Sequence, residues 1–200
     1  SDLHRKQIRT ILFSGPAAPG VTALSSAITL TSLTTLKFSA LTHRSGTNLW
    51  TLKTMNITDF YPILLREACL SKDSHRKVCA AAFDKHLNRL ASGWNGLPRK
   101  VLDLPERYNK PLKDFYVVHA EVNLIASAAR LGISLQGSSV LITELHPCAN
   151  CAGALVQAGI SEVYYPVSPG SGKTVKQEWL DNFEHAQTIF HEAGVQLCPF

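Results

Sequence analysis

The chain has 200 residues, 45% of them hydrophobic and 18% charged, enough apolar material for one buried core with an extension or for two very small domains. Its five cysteines include one C-x-x-C pair and leave Cys69, Cys79 and Cys198 without evident partners, which argues against a secreted disulfide scaffold and for a reducing, cytoplasmic setting. No apolar run is long enough to span a membrane, and the net charge of +5 lies wholly in the first 56 residues, so the remainder gives no electrostatic case for a nucleic-acid-binding body.

Residues 1–56 hold six Lys/Arg against a single acid, Asp2, and are rich in Ser and Thr. Four readings of this segment stand side by side. The run from Gly15 to Thr22 has the glycine spacing of a phosphate-binding loop, but Val21 occupies the place of the lysine that reaches the phosphates, so the loop is degenerate. An acid-poor, Ser-rich, Arg-containing leader resembles an organelle transit peptide. The segment also suits a structural or interaction extension. Finally, Met55 stands where the composition changes and could open a second unit to which the leader was added. The boundary is therefore set at 1–56 and 57–200.

From Thr58 the pattern becomes regular. Phe60, Ile63, Leu64, Ala68 and Leu70 predict a helix, with Pro62 tolerated in its first turn. Val78–Phe83 and Leu87–Ser92 read as a strand pair turning at Asp84-Lys85-His86. Gly93 to Pro98 is a loop, and the charged, proline-containing stretch 99–116 reads as an exposed excursion. His119–Leu131 is a helix with Val122, Ile125, Ala126 and Ala129 on one face and Gly132 after its last turn. A strand at Val140–Thr143, a helix at Cys148–Ala158, a strand at Val163–Tyr165, a helix at Gln177–Ala193 and a strand at Val195–Cys198 complete the order. In the last helix Trp179, Leu180, Phe183 and Phe190 are spaced for one buried face. Strands separated by helices favour parallel crossovers, whereas the opening hairpin is antiparallel. The expected fold is α/β, a three-layer α-β-α arrangement around a mixed five-stranded sheet.

Within this frame, His119-Ala120-Glu121 is answered by Pro147-Cys148-Ala149-Asn150-Cys151. Thiolates and imidazoles are zinc ligands, and a catalytic zinc has three protein ligands with one position open to water. His119, Cys148 and Cys151 supply three. Cys148 and Cys151 share the first turn of a helix. His119 and Glu121 diverge in mid-helix and converge only at a helix start. Both helices then aim their N-termini at the metal, which favours thiolates. The pattern H-x-E followed by P-C-x-x-C resembles the signature of zinc-dependent nucleobase deaminases, which implies that Glu121 is the proton shuttle between water, a ring nitrogen and departing ammonia. A closed structural site would need a fourth ligand, and His146, separated from Cys148 by the rigid Pro147, is a poor one.

From about Thr58 onward the chain resembles the deoxycytidylate (dCMP) deaminase family of the zinc-dependent cytidine deaminase-like superfamily. The resemblance rests on Arg76-Lys77-Val78-Cys79-Ala80, Ser92-Gly93-Trp94-Asn95-Gly96-Leu97-Pro98-Arg99, Val118-His119-Ala120-Glu121-Val122-Asn123, Pro147-Cys148-Ala149-Asn150-Cys151-Ala152, and the stretch from Phe183-Glu184 to Ala193-Gly194-Val195. It implies the cytidine deaminase-like fold, hydrolysis of dCMP to dUMP for thymidylate supply, one catalytic Zn2+, and homo-oligomers (hexamer or dimer) controlled by dCTP and dTTP with Mg2+. It also implies that Asn95 binds the sugar hydroxyl, that a backbone group of Ala120 meets the base, and that Arg130 lies near the nucleotide and a subunit boundary. Arg76, Lys77 and Arg99 flank the site and are candidates for the phosphate of an anionic substrate. Tyr164 or Tyr165 could approach the base. Cys79 departs from the family's usual glycine, no additional His/Cys set for a second zinc is evident, and 99–116 is short.

A tRNA or free-base deaminase of the same superfamily shares the central motifs. The long loop between Asn95 and His119 and the lack of basic excess disfavour it. A modified dCMP substrate also fits. A regulatory or antiviral protein, with the degenerate phosphate loop as a sensing part, is the reading from a different class.

Overall fold

The computed structural model of the chain describes residues 37–42, 48–169 and 171–200. The phosphate-loop-like run at 15–22, and with it the transit-peptide reading, falls outside the described residues. Within the leader, β1 (Lys37–Thr42) and β2 (Asn48–Lys53) pair antiparallel as a separate two-stranded sheet, Lys37 opposite Lys53. No element was expected there from the sequence.

The first helical segment opens with a reciprocal cap. The Asn56 side chain accepts from the Thr58 N–H (3.5 Å), and the Asp59 carboxylate accepts from the Asn56 N–H (3.0 Å). A 3-10 turn, Ile57–Phe60, then leads into α1 (Tyr61–Ala68), where Pro62 sits at the start as its missing N–H requires.

The main sheet runs β4-β3-β5-β6-β7, built from β3 (Cys79–Phe83), β4 (Arg89–Trp94), β5 (Ser139–Ile142), β6 (Glu162–Tyr165) and β7 (Gln196–Pro199). β3 pairs antiparallel with both β4 and β5, while β5–β6 and β6–β7 are parallel, giving the expected mixed sheet. β3 is Cys-Ala-Ala-Ala-Phe and wholly buried. Its short side chains let helices close on both faces. Cys79, Ala81, Phe83 and Leu141 meet Ile57, Leu64 and Ala68 on one face. Ala80, Ala82, Val140, Ile142 and Val163 meet α3 (Ala120–Leu131), α4 (Ala149–Gln157) and α5 (Gln177–Glu192) on the other, through Leu124, Ala128, Ala152, Leu155, Ala186 and Phe190. Each large side chain so buried contributes about 1.5–3 kcal/mol relative to exposure.

Three expectations need correction. In α3 the buried stripe is Ala120, Glu121, Leu124 and Ala128, whereas Val122, Ala126 and Ala129 are exposed. In α5, Phe183, Ala186 and Phe190 are buried, but Trp179 and Leu180 lie at the surface. The stretch 99–116 is not a plain excursion: it forms a 3-10 turn (Pro105–Tyr108) that buries Tyr108, and the short helix α2 (Lys113–Tyr116).

What seats α3 is a missing side chain. A Cβ on Gly93 would lie 2.6 Å from the Asn123 carbonyl carbon and 2.8 Å from the Ala120 oxygen, and would strike the Leu124 nitrogen. All three are backbone atoms and cannot move aside singly. Gly93→Ala is therefore expected to reduce stability by about 3 kcal/mol or more, at or beyond the upper end of ordinary overpacking. Urea unfolding checks this, and an unchanged midpoint would show that β4 and α3 can separate without loss.

Candidate active site

Two helix starts meet at the site. His119 is the N-cap of α3 in extended conformation (φ −66°, ψ 156°), and Cys148 is the N-cap of α4 (φ −72°, ψ 165°). Neither side chain caps its own helix. Extended backbone at His119, followed by helix at Glu121, turns two side chains that would otherwise diverge toward one point. The entry to α3 is held by a bridge between Gly96 and Val118 (N–H to oxygen, 3.0 and 2.9 Å) and by Asn123, whose amide donates to the Trp94 carbonyl (2.9 Å).

His119 Nδ1 lies 3.5 Å from Cys148 Sγ and 3.4 Å from Cys151 Sγ. The ligand atoms of His119, Cys148 and Cys151 all fall within 4.8 Å of one another. Donors bound tetrahedrally to zinc, with Zn–N of about 2.0–2.1 Å and Zn–S of about 2.3 Å, sit roughly 3.6 Å apart. The residues therefore fit zinc in both chemistry and spacing. His146 stays out of the donor set. Its Nδ1 is 2.7 Å from the Pro147 oxygen, and its ring packs against Tyr165, Phe183 and Phe190 at centroid distances of 4.7, 5.5 and 6.1 Å. Its buried Nε2 has no partner among the described residues.

The electrostatics are those of a site shaped for a cation. The hydrogen bond from Cys151 pulls the Cys148 thiol down, and the same bond raises that of Cys151. The hydrogen bond to Cys148 raises the His119 imidazole. Burial raises the Glu121 carboxyl, so this group favours holding a proton.

These residues open into a cavity of about 760 Å³, whose lining includes Asp73, Arg76, Asn95, Lys113, Ala120 and Trp179. Of the residues expected to touch substrate, Asn95, Ala120 and Arg76 lie in its wall. Asn95 and Arg76 are already committed. The Asn95 amide donates to Asp73 (3.0 Å) and to the Arg76 carbonyl (2.9 Å), while its oxygen accepts from the Val78 N–H (2.8 Å). The Arg76 guanidinium donates to Glu144 (2.8 Å) and the Thr174 carbonyl (2.8 Å). The other candidates are not brought to the cavity. Lys77 and Arg99 are exposed, and Lys77 points to the Cys69 carbonyl (3.5 Å). Arg130 is exposed at the far end of α3, since the site is at the helix start. Tyr165 backs the His146 ring rather than lining the cavity, and Tyr164 donates to Glu162 (3.2 Å). Sequence reading missed Asp73, Glu144 and Lys113, whose partners are far away along the chain.

The family description "cytidine and deoxycytidylate deaminase zinc-binding region" matches residues 55–167. The chain belongs to this family. It is thereby a hydrolytic deaminase of a zinc-binding kind. Human deoxycytidylate deaminase is 31% identical over 147 residues, covering 70% of this chain and 77% of that protein. An uncharacterized deaminase from the luxG 3′ region of Aliivibrio fischeri is 33% identical over 127 residues, 64% of this chain and 81% of that one. Among solved structures, the dCMP deaminase of cyanophage S-TIM5 in complex with dCMP and dUMP superposes with a TM-score of 0.54 at 25% identity, over 71% of this chain and 94% of that one. Among the described residues, no helix is long and apolar enough to cross a membrane.

Replacing Cys151 with alanine removes one of three donors and is expected to abolish stoichiometric zinc, while the same change at exposed Cys69 leaves it intact. Metal analysis of purified protein distinguishes the two, and equal zinc in both variants would dissolve the assigned donor set.

Proposed function

We propose that residues 57–200 form a dCMP deaminase unit that hydrolyses dCMP to dUMP with one zinc ion, and that residues 1–56 are an extension to it. The observation that carries the reading is the His119–Cys148–Cys151 cluster with buried Glu121 beside it, where His119, Glu121 and Cys148 line a cavity of about 760 Å³. The structure of the similar cyanophage protein with dCMP and dUMP supports the choice of substrate.

His119, Cys148 and Cys151 would hold the ion. When bound, zinc supplies an activated water as nucleophile. The Glu121 carboxylate would take one proton from the attacking water and deliver it to N3 of the cytosine ring, as the water oxygen bonds to C4. It would then carry the remaining proton of the new C4 hydroxyl to the amine, so that the C4–N bond breaks, ammonia leaves and the C4 carbonyl of uracil forms. Burial of the Glu121 carboxyl suits this task, because it favours the proton-holding state between the two transfers. The α3 start brings Ala120 to the cavity wall, where its backbone can orient the base. Cytoplasmic nucleotide supply, homo-oligomers, and control by dCTP and dTTP with Mg2+ belong to the same proposal.

Ammonia release from dCMP, dCTP, deoxycytidine and a tRNA stem-loop, with and without dCTP or dTTP, tests it. dCMP is expected to be the preferred substrate. Glu121→Gln should retain zinc and lower kcat by roughly 10²–10⁴, the range for loss of a general acid–base. Activity confined to tRNA would overturn the proposal, and loss of zinc in Glu121→Gln would move Glu121 into the metal shell.

A further inference from the structure

The donors expected to meet the substrate's sugar and phosphate are engaged elsewhere. Both Asn95 amide N–H groups go to Asp73 and the Arg76 carbonyl, and the Arg76 guanidinium goes to Glu144 and Thr174. The remaining cations of the cavity wall are lysines of two kinds. Lys110 and Lys176 have mostly exposed side chains and loose partners, Asp114 at 3.6 Å and Glu178 at 4.0 Å. Such pairs are screened and hold no fixed geometry. Lys173 gives its ammonium to the His75 carbonyl at the exposed rim.

Lys113 differs. Its Nζ is 2.6 Å from Asp73 Oδ2, its side chain is 21% exposed, and the Asp73 side chain is 0% exposed. Its backbone is fixed as well: the Lys113 N–H donates to the Asn109 carbonyl (2.8 Å), and its carbonyl accepts from the Val117 N–H (3.0 Å). Asp73 is held in turn. Its Oδ1 accepts from the His75 (2.8 Å) and Arg76 (3.2 Å) N–H groups, and its Oδ2 from Asn95. A carboxylate so enclosed has no atom to offer a ligand, but an ammonium carries three donors and no acceptor. Among the described residues Lys113 is thus the wall's one lysine that is both part-buried and clamped by a buried carboxylate, and it lines the same cavity as His119 and Glu121. Its partner must present an oxygen. The base is placed by the metal end of the cavity, so that oxygen belongs to the sugar–phosphate part.

We propose that Lys113 binds the substrate, donating a charge-assisted hydrogen bond to a sugar or phosphate oxygen of the nucleotide, with Asp73 as the positioning residue that clamps its ammonium. The assignment rests on the dCMP reading of the cavity.

Steady-state kinetics on dCMP, deoxycytidine and 2′,3′-dideoxycytidine 5′-monophosphate test it, with zinc content and thermal unfolding recorded for each protein. Lys113→Gln should raise KM for dCMP roughly tenfold to a hundredfold, as expected for one lost charge-assisted hydrogen bond, with a smaller change in kcat. That penalty should vanish on one analogue: on deoxycytidine if the contact is to phosphate, on the dideoxy nucleotide if it is to the 3′-hydroxyl. Asp73→Asn leaves the cation in place but unclamped, and should raise KM on the same substrates as Lys113→Gln. It decides the matter alone should Lys113→Gln not fold. Unchanged KM values, an equal penalty on all three substrates, or a loss confined to kcat that follows zinc or unfolding temperature would overturn the proposal and leave Lys113 as a structural partner of Asp73. Wild-type protein inactive on dCMP would instead overturn the substrate reading, before any variant is compared.

Discussion

The backbone of β4 lies directly on the backbone of α3 at Gly93, and the site is built outward from that contact. A glycine is required because Ala120, Asn123 and Leu124 present main-chain atoms where a side chain would go. With the two elements this close, Asn123 reaches the Trp94 carbonyl and Val118 pairs with Gly96. The chain must then enter α3 from an extended residue, and that residue is His119. Glu121, one turn-step further, falls on the stripe facing the sheet and is buried. The positions of α3, of His119 and of Glu121 are thus consequences of one packing constraint. α4 repeats the device with Cys148 extended at its start and Cys151 in its first turn.

A second tie governs the mouth of the cavity. The short segment Asp73–Arg76 grips both lips. Asp73 holds Lys113 from the α2 side, while Arg76 holds the Thr174 carbonyl and the His75 carbonyl receives Lys173 from the other side. Glu144, nearly buried, joins Arg76 to Ser171. Of these, Lys113–Asp73 and Arg76–Glu144 are part-buried ion pairs, and removing one member leaves a desolvated charge, which costs about 3–5 kcal/mol. The exposed pairs Lys72–Asp103 and Lys110–Asp114 contribute about 0–1 kcal/mol each by comparison. The lips are therefore set by a few interior charges rather than by the many surface ones.

What could be read from the sequence follows from which constraints are local. The His119–Cys148–Cys151 cluster was legible because metal geometry forces short spacings: two cysteines in one helical turn, and a histidine at a helix start with an acid two positions on. Strand and helix order was legible through Gly132, Gly159 and Gly194 and through the alternation between helical and extended patterns. The α3 face was misread because a polar residue, Glu121, occupies the buried stripe while Val122, Ala126 and Ala129 are left outside. Apolar periodicity cannot report a core stripe that contains a buried carboxyl group. Trp179 failed for a related reason, since it lies near the His119 ring (centroids 6.3 Å apart) at the cavity wall rather than in the core.

The roles of Asn95, Arg76 and Asp73 were beyond local reading for a different reason. Each makes its decisive contacts with residues far along the chain: Asn95 with Asp73, Arg76 with Glu144 and Thr174, Asp73 with Lys113. A motif shows that Asn95 is present, but not that both its amide protons serve the wall instead of a ligand. The same asymmetry separates reaction from substrate. Hydrolytic deamination needs three donors and an acid in fixed register, and a helix start provides that register within a few residues. The charged groups of the cavity wall, by contrast, come from 73–76, from α2 and from the loop before α5 at once. Lys113 stands in a stretch whose charge and prolines mark it as solvent-facing, yet its head is drawn inward by a carboxylate forty positions earlier. The placement of the cavity's charged groups is therefore a property of tertiary pairing, found by asking which buried charge each cavity cation answers.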